Sequence, residues 1–181
     1  MAAGVACGGN DAPLHGVVID PPQEAPVIRI TDAEGVPFDL DRERGERTVM
    51  VFFGYTHCPD VCPATLADWA RAKRALGTAA SSVRWLFVSV DPERDTPALV
   101  RDYARQFDST FVGLSPTLAQ LDSLKAHWTF EVAREIVPGG TGYAVSHPAG
   151  TFVVDRAGRI RLILRPNTPP ADIAADLRQL R

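Results

Sequence analysis

Two cysteines, Cys58 and Cys62, lie four residues apart between an apolar run and a helical pattern. The apolar run covers residues 49–53 and the helix is predicted over 63–76, so the thiols stand where a strand passes into a helix N-terminus. Unpaired backbone N–H groups and the positive end of the helix dipole favour thiolate over thiol at such a position. A thiolate pair there can exchange a disulfide or hold a soft metal such as Cu(I). The position therefore predicts redox chemistry or metal binding and leaves the choice open.

The spacing of the two cysteines does not decide between these chemistries. Residues four apart on a regular helix have Cβ atoms about 5–6 Å apart, whereas a disulfide needs about 3.5–4.5 Å. We expect Pro59 and the strand-to-helix turn to hold Cys58 off helical geometry if the pair closes. A pair held slightly open is also suited to bridging a metal. The alternative is that the two cysteines only fill space in the core as small hydrophobic residues. The prolines that flank them at the strand-to-helix junction disfavour this alternative.

The composition excludes several classes of protein. The chain has 181 residues, of which 45% are apolar, enough for one domain with a substantial core. A net charge of −3 predicts neither nucleic-acid binding nor attraction to an anionic membrane. Three cysteines are too few for a disulfide scaffold, and no run of 18 apolar residues predicts a membrane span.

Residues 1–24 are rich in glycine, proline and alanine and are predicted to form a flexible tether. Small residues lead into Cys7 and glycines follow it, as at the end of a bacterial lipoprotein signal, although the charged and long apolar regions of a complete signal peptide are missing. Cys7 is therefore a candidate for lipidation, and an incidental cysteine in a tail is the alternative. His15 lies in the same tail and is predicted to have no role.

Hydrophobic periodicity and turn residues predict one α/β domain over residues 25–181. The order of its elements describes a thioredoxin-like fold, a central mixed sheet flanked by helices, with an N-terminal hairpin and an inserted hairpin-like extension. The predicted elements are a hairpin at 27–40, strands at 49–53, 83–90 and 111–114, helices at 63–76, 97–107, 115–126 and 169–180, an extension at 130–142 and a hairpin at 151–164.

Four histidines are available as the third donor that a two-thiolate copper site usually takes. His147 immediately precedes the predicted strand at 151–154, and in a thioredoxin-like sheet that loop lies beside the dithiol. His147 is therefore the candidate ligand. The alternative is a surface or core histidine whose ring nitrogens are hydrogen-bonded and bind no metal. His57 adjoins Cys58, whose pKa it is placed to tune, but we expect it to be a solvated turn residue. His127 closes a helix and is predicted to have no role.

Three segments in the same order resemble the Sco/SenC family, whose members assemble the copper sites of cytochrome c oxidase. The segments read GYTHCPDVCP at 54–63, VDPERDTP at 90–97 and VSH at 145–147, the last leading into FVVD, and the likeness covers residues 25–181. The resemblance implies that Cys58 and Cys62 are paired thiolate ligands, that His147 is the third ligand, and that Cu(I) and Cu(II) are the metals bound.

Two further residues of the motifs bear on how such a site is supported. Asp91, in the VDPERDTP run, is placed to assist the site, although turn structure or helix capping is the simpler role for it. The family usually carries an aspartate before the histidine and a hydroxyl residue after it, whereas Ser146 and Pro148 flank His147 here. This departure concerns the group that orients the imidazole and not the identity of the ligand.

The resemblance also implies partners and a location. The partners are the copper-site subunit of cytochrome c oxidase and another periplasmic copper chaperone. The location is the extracytoplasmic face of the bacterial inner membrane, where the domain is expected to be a tethered monomer. The alternative function is that of a thiol–disulfide reductase, in which Cys58 and Cys62 form a redox-active disulfide and keep the acceptor's copper-site cysteines reduced. Copper binding needs His147 and dithiol exchange does not. A peroxidase is disfavoured because no arginine partner for a peroxidatic cysteine is evident.

Overall fold

The strand that leads into the dithiol, β4 (Thr48–Gly54), is buried over its whole length. In the computed structural model, which describes residues 13–136 and 142–180, β4 lies inside a six-stranded sheet. It pairs in parallel with β5 (Val83–Ser89) and antiparallel with β9 (Thr151–Val154). The continuous apolar sequence of β4 fits this position, because a strand covered on both faces has no solvent side to keep polar.

β6 (Val112–Leu114) extends the parallel half of the main sheet beside β5, and β10 (Arg159–Leu164) pairs antiparallel with β9 and with β1 (Val17–Glu24). The strand order is β1–β10–β9–β4–β5–β6. The parallel pairs β4–β5 and β5–β6 are each joined through a helix, as parallel neighbours require. This mixed sheet flanked by helices confirms the fold class predicted from the sequence.

Helix starts follow from their capping residues. α2 begins at Pro97 behind the N-cap Thr96, whose side chain accepts a hydrogen bond from the backbone N–H of Leu99. α3 starts at Leu118 and not at the predicted residue 115, because Thr117 and Gln120 form a reciprocal capping box there. The helices are α1 (Val61–Leu76), α2 (Pro97–Phe107), α3 (Leu118–Trp128) and α4 (Pro170–Gln179), with short 3-10 helices at Leu40–Glu43 and Gly77–Ser82.

The first strand corrects the predicted tether. Residues 17–24 form β1 at the edge of the main sheet, with Val17 opposite Ile163 and Glu24 opposite Arg159. The register shifts between these two pairs, where the consecutive prolines of the segment lie. Proline lacks a backbone N–H, but an edge strand with an irregular ladder tolerates that loss, and for this reason the proline content was misleading. Residues 1–12, with Cys7, lie outside the described residues.

His15, predicted to have no role in a flexible tail, has a structural one. Its backbone N–H and its ring Nδ1 both donate to the carboxylate of Asp176 on α4, at 2.9 and 2.8 Å. The side-chain hydrogen bond raises the pKa of His15. The segment before β1 is thus attached to the last helix by a buried acceptor, 161 residues away along the chain.

Two small hairpins complete the domain. β2 (Arg29–Thr31) and β3 (Pro37–Asp39) form the predicted N-terminal hairpin. β7 (Ala133–Ile136) and β8 (Tyr143–Ser146) form the predicted extension, whose connection at 137–141 lies outside the described residues. β8 ends directly before His147. No helix in the described part of the chain is long and apolar enough to cross a membrane.

Candidate metal centre

The thiol pair lies at the N-terminus of α1, as predicted. The helix begins at Val61, two residues before the predicted start, and its N-cap Asp60 makes no side-chain capping hydrogen bond. The backbone N–H of Cys62 instead donates to Sγ of Cys58 at 3.4 Å, so a sulfur takes one of the helix's unpaired donors. Cys58 itself stands before the helix in a turn closed onto the carbonyl of Tyr55. Sγ of Cys58 is therefore not placed as it would be on a continuous helix that includes both cysteines.

His147 lies against the two sulfurs. Its Nε2 is 3.6 Å from Sγ of Cys62, and one ligand atom from each of Cys58, Cys62 and His147 lies within 4.8 Å of the other two. Among residues 13–136 and 142–180, no fourth histidine, cysteine or acidic side chain joins this group. The three residues singled out in the sequence are thus brought together into a compact S,S,N set of donors.

The imidazole of His147 is oriented by the backbone of the next residue. Its Nδ1 lies 3.0 Å from the carbonyl oxygen of Pro148, which can only accept, so Nδ1 carries the proton. Nε2 then presents its lone pair on the side of the sulfurs, as a metal ligand must. The rings of Phe52 and Tyr55 pack edge-on against the imidazole at 5.8 and 5.6 Å. A carbonyl thus fixes the ring although Ser146 stands where the family usually carries an aspartate.

The two thiols have opposite protonation states. The hydrogen bond from Cys62 lowers the pKa of the half-buried Cys58 to about 4, helped by the backbone N–H groups of Cys62 and Asp60. The same hydrogen bond, together with burial, raises the pKa of Cys62 above its ordinary value. The pair therefore shares one proton, which stays on the buried Cys62 and leaves a thiolate on the accessible Cys58.

We expect Cys58 of the reduced, metal-free protein to alkylate far below the pH at which ordinary thiols react. With a pKa of about 4, its thiolate is nearly complete by about pH 6, where a cysteine of pKa ~8.5 is below ~1% ionised. The iodoacetamide rate, followed by peptide mass spectrometry, should level off above about pH 5 and fall below about pH 4. Cys62 should react slowly throughout. A Cys58 rate that rises steadily into the alkaline range would contradict this assignment.

Gly54, the last residue of β4, leaves the space that Cys62 occupies. A Cβ atom at this position would lie 2.7 Å from Sγ of Cys62 and 2.7 Å from Cε2 of Phe87, closer than real Cβ contacts approach. Both neighbours are fully buried, so neither has open space to move into. Because Gly54 has no side chain, Sγ of Cys62 can lie in the core at its observed depth.

We expect Gly54→Ala to destabilise the fold by about 1–3 kcal/mol, the usual cost of overpacking a core, and to displace the Cys62 sulfur. Guanidinium unfolding measures the first effect. Gly142→Ala is the matched control, because no atom of residues 13–136 or 142–180 lies within 4 Å of the Cβ it would add. Equal unfolding midpoints for the two variants would show that the core accommodates the methyl group.

The remaining sequence candidates lie outside the group of three donors. His57 is exposed, with Nδ1 3.1 Å from the hydroxyl of Thr56, as expected for a solvated turn residue. His127 is exposed at the end of α3. Asp91 serves the predicted turn, since its carbonyl accepts from two following N–H groups, but it does not cap a helix. The capping prediction was wrong because Thr96 takes that role.

Asp95 supports the dithiol loop and was not among the residues predicted from the sequence. Its buried carboxylate accepts from the backbone N–H of Thr56 at 2.9 Å and from the Thr56 hydroxyl at 2.5 Å. The hydroxyl of Ser89, at the end of β5, donates to the same carboxylate at 2.6 Å. The available signal was the run of acidic residues at 91, 93 and 95 that follows the buried strand β5. A buried carboxylate must be held by specific partners, but the sequence does not indicate which of the three are buried.

The comparison with known families agrees with this geometry. The family model described as SCO1/SenC matches residues 21–181, which include all three donors. The chain belongs to the SCO1/SenC family. The match begins before residue 25, the predicted domain boundary, and thus includes the second half of β1.

Curated relatives in this family are longer than the matched segment. The chain is 33% identical to protein SenC of Rhodobacter capsulatus over 146 residues, which cover 75% of this chain and 65% of SenC. It is 28% identical to an SCO2-like protein of Rickettsia prowazekii over 133 residues, 73% of this chain and 64% of that protein. The chain therefore spans less than two thirds of the length of these relatives.

Two solved structures of the family are similar to the whole domain. Apo Sco1 of Thermus thermophilus has a TM-score of 0.81 at 32% identity and covers 94% of this chain and 98% of its own. ScoI of Bradyrhizobium japonicum, solved with copper bound, has a TM-score of 0.79 at 33% identity and covers 87% of this chain and 99% of its own. These likenesses confirm the predicted fold.

Proposed function

We propose that the chain is a copper chaperone for cytochrome c oxidase that binds the metal through Cys58, Cys62 and His147. The convergence of these three donors within 4.8 Å carries the proposal. Thiolate sulfur is a soft ligand that suits Cu(I), and imidazole also suits Cu(II), so the S,S,N set serves both oxidation states. The copper bound in ScoI of B. japonicum, at 33% identity, supports the same metal for this chain.

The number of donors argues against a structural zinc site. Structural zinc is held by four protein ligands in a closed tetrahedron, whereas three donors meet here among the described residues. Cu(I) is satisfied by two or three soft ligands. A three-coordinate ion keeps one side open, and an acceptor thiolate or imidazole is then able to add before a ligand of the chaperone leaves. The donor set is therefore suited to transfer as well as binding.

The exposure of the donors fits delivery to another protein. Cys62 is buried and forms the floor of the site, while Cys58 and His147 are only partly buried. An acceptor that approaches from outside meets Cys58 and His147 first. We propose the copper-site subunit of cytochrome c oxidase as this acceptor and another periplasmic copper chaperone as the donor. We place the monomeric domain at the extracytoplasmic face of the inner membrane, tethered through Cys7.

A second candidate function is supported by the unequal thiols. The Cys58 thiolate would attack an acceptor disulfide and form a mixed disulfide, with one acceptor thiolate as the leaving group. Cys62, whose proton passes to the acceptor thiolate released in the first step, would then attack the Cys58 sulfur, which releases the second acceptor thiolate and leaves a Cys58–Cys62 disulfide. Two electrons pass to the acceptor in this thiol–disulfide reductase. No bond to sulfur forms or breaks at His147 in either step, so the exchange does not require the imidazole.

Complementation of a bacterial strain that lacks its own SCO1/SenC protein distinguishes the two functions. The full-length gene is introduced as wild type, as His147→Ala and as Cys58→Ser/Cys62→Ser, and oxidase activity and membrane-bound copper are measured. A chaperone predicts that only wild type restores oxidase, although His147→Ala keeps its dithiol chemistry. Full oxidase activity in the His147→Ala strain would overturn the chaperone and support the reductase. His127→Ala serves as the control.

A further inference from the structure

In the described part of the chain, the hairpin that precedes His147 has no backbone ladder to the main sheet. β7 and β8 pair with one another in a separate two-stranded sheet, and every residue of β7 is exposed. An isolated two-stranded hairpin is marginal in water. His147 follows β8 without a linker and is joined to β9 by residues 148–150, so its distance from the sulfurs depends in part on what attaches this hairpin to the rest of the domain.

One attachment is the guanidinium of Arg94. Its Nη1 donates to the carbonyl oxygen of Tyr143, the first residue of β8, at 2.9 Å. Its Nε donates to the carboxylate of Asp91, whose side chain is fully buried. Its Cζ lies 3.6 Å from the centroid of the Tyr143 ring and 5.7 Å from that of Tyr55, so the cation also stacks between two aromatic faces.

Tyr143 also contacts the partner of Arg94, Asp91. Its hydroxyl donates to the other oxygen of Asp91 at 2.8 Å, so Arg94, Tyr143 and Asp91 form a closed triangle. Farther along β8, the backbone N–H of Val145 donates to the hydroxyl of Tyr55 at 3.3 Å. The ring of Tyr55 in turn packs against the imidazole of His147. The contacts thus run without a break from Arg94 to the third donor.

The same segment also supports the sulfurs. Asp91 and Arg94 hold the hairpin, while Asp95, one residue on, binds Thr56 in the loop that leads to Cys58. Residues 91–95 therefore join the two ligand-bearing parts of the site, which have no backbone pairing with each other. Displacement of the hairpin would change the distance from Nε2 to the sulfurs without unfolding the domain.

We propose that Arg94 is a positioning residue that, through Tyr143 and Asp91, holds His147 against the two sulfurs. This inference rests on the proposed copper site. Arg94 touches no copper; it acts by fixing the strand in front of the ligand. Removing such a support of a metal ligand typically costs about 10–100-fold in metal affinity, and the loss should fall on the oxidation state that needs the imidazole.

The test replaces the ion pair by neutral groups of similar size, Asp91→Asn/Arg94→Gln, so that no buried charge is left alone. The matched control is Glu43→Gln/Arg84→Gln, a pair joined at 3.0 Å with side chains 10% and 29% exposed, at the opposite end of β5. We expect about 10–100-fold weaker Cu(II) binding in the first variant, less than about threefold weaker Cu(I) binding, and neither change in the control.

Two further measurements separate positioning from general stability. In a His147→Ala background, Asp91→Asn/Arg94→Gln should weaken Cu(II) no further, because the positioned donor is already absent. In the metal-free protein, backbone amides of 143–147 should exchange hydrogen faster in the variant and not in the control. Tyr143→Phe, which loses only the contact with Asp91, should shift both quantities less but in the same direction.

If His147→Ala weakens Cu(II) binding, unchanged Cu(II) affinity in Asp91→Asn/Arg94→Gln would overturn the role of Arg94, and so would a loss that persists in full beside His147→Ala. Unchanged amide exchange in 143–147 would overturn it in either case. Failure of the proposed copper site looks different, since His147→Ala alone would then bind Cu(II) as wild type does. The amide exchange still decides in that case whether Arg94 holds the hairpin.

Discussion

Replacing Cys58 and Cys62 together by serine is expected to abolish stoichiometric Cu(I) binding. The two sulfurs are the soft donors of the site, and a serine hydroxyl is a hard, neutral ligand that Cu(I) does not favour. The loss should exceed the ~10–100-fold that removal of a supporting residue costs. Competition with a chromophoric Cu(I) chelator under anaerobic conditions measures the affinity, and metal analysis after desalting measures the stoichiometry.

Each single serine variant should also lose tight binding, because one sulfur and one imidazole cannot replace two sulfurs. Circular dichroism and the unfolding midpoint must show that the variants are folded, since Cys62 is buried in the core. Cys7→Ser is the control for the presence of a thiol as such. One equivalent of Cu(I) retained by the double serine variant after desalting would mean that the cysteines are not the ligands.

The second large effect is expected for His147→Ala, and it should differ between the two oxidation states. Cu(II) prefers nitrogen donors, whereas two thiolates already hold Cu(I) in near-linear geometry. Cu(II) affinity should therefore fall by ~100-fold or more, beyond the cost of losing a supporting residue, and Cu(I) affinity by less than ~10-fold. Equilibrium titrations with competing ligands measure both constants. The reduction potential of the Cys58–Cys62 couple should move by less than ~30 mV.

His127→Ala is the matched control, because that imidazole lies on an exposed face of α3 and hydrogen-bonds the carbonyl of Ser123 at 2.7 Å. It should leave both copper affinities and the potential unchanged. An equal loss of Cu(I) and Cu(II) affinity in His147→Ala would show that the imidazole is not the donor that distinguishes the two oxidation states.

The elements that are specified by neighbouring residues in the chain were predictable from the sequence. The apolar run of β4, the proline-and-threonine start of α2 and the cysteine pair at the N-terminus of α1 each carry a local signal that the structure follows. His147 was placed beside the dithiol by topology, since its loop precedes a strand that pairs with β4. These predictions depended on the order of the elements along the chain and on capping chemistry, both of which are visible in the sequence.

The contacts that the sequence did not predict join distant residues or use backbone atoms. Nothing local indicates that His15 meets Asp176, or that Arg94 meets Tyr143, which is 49 residues away. The carbonyl of Pro148 orients the imidazole, and every residue has a carbonyl, so side-chain identity carries no signal for it. β1 was missed because its prolines indicate a loop unless the strand lies at an edge.

Copper K-edge X-ray absorption of the loaded protein tests the donor set most directly, with wild type compared to His147→Ala. We expect two sulfur neighbours in both proteins and, in wild type only, the multiple-scattering signature of one imidazole. That result would assign copper to the three side chains that the fold brings together. A wild-type spectrum without sulfur neighbours, or an imidazole signature that persists in His147→Ala, would contradict the account.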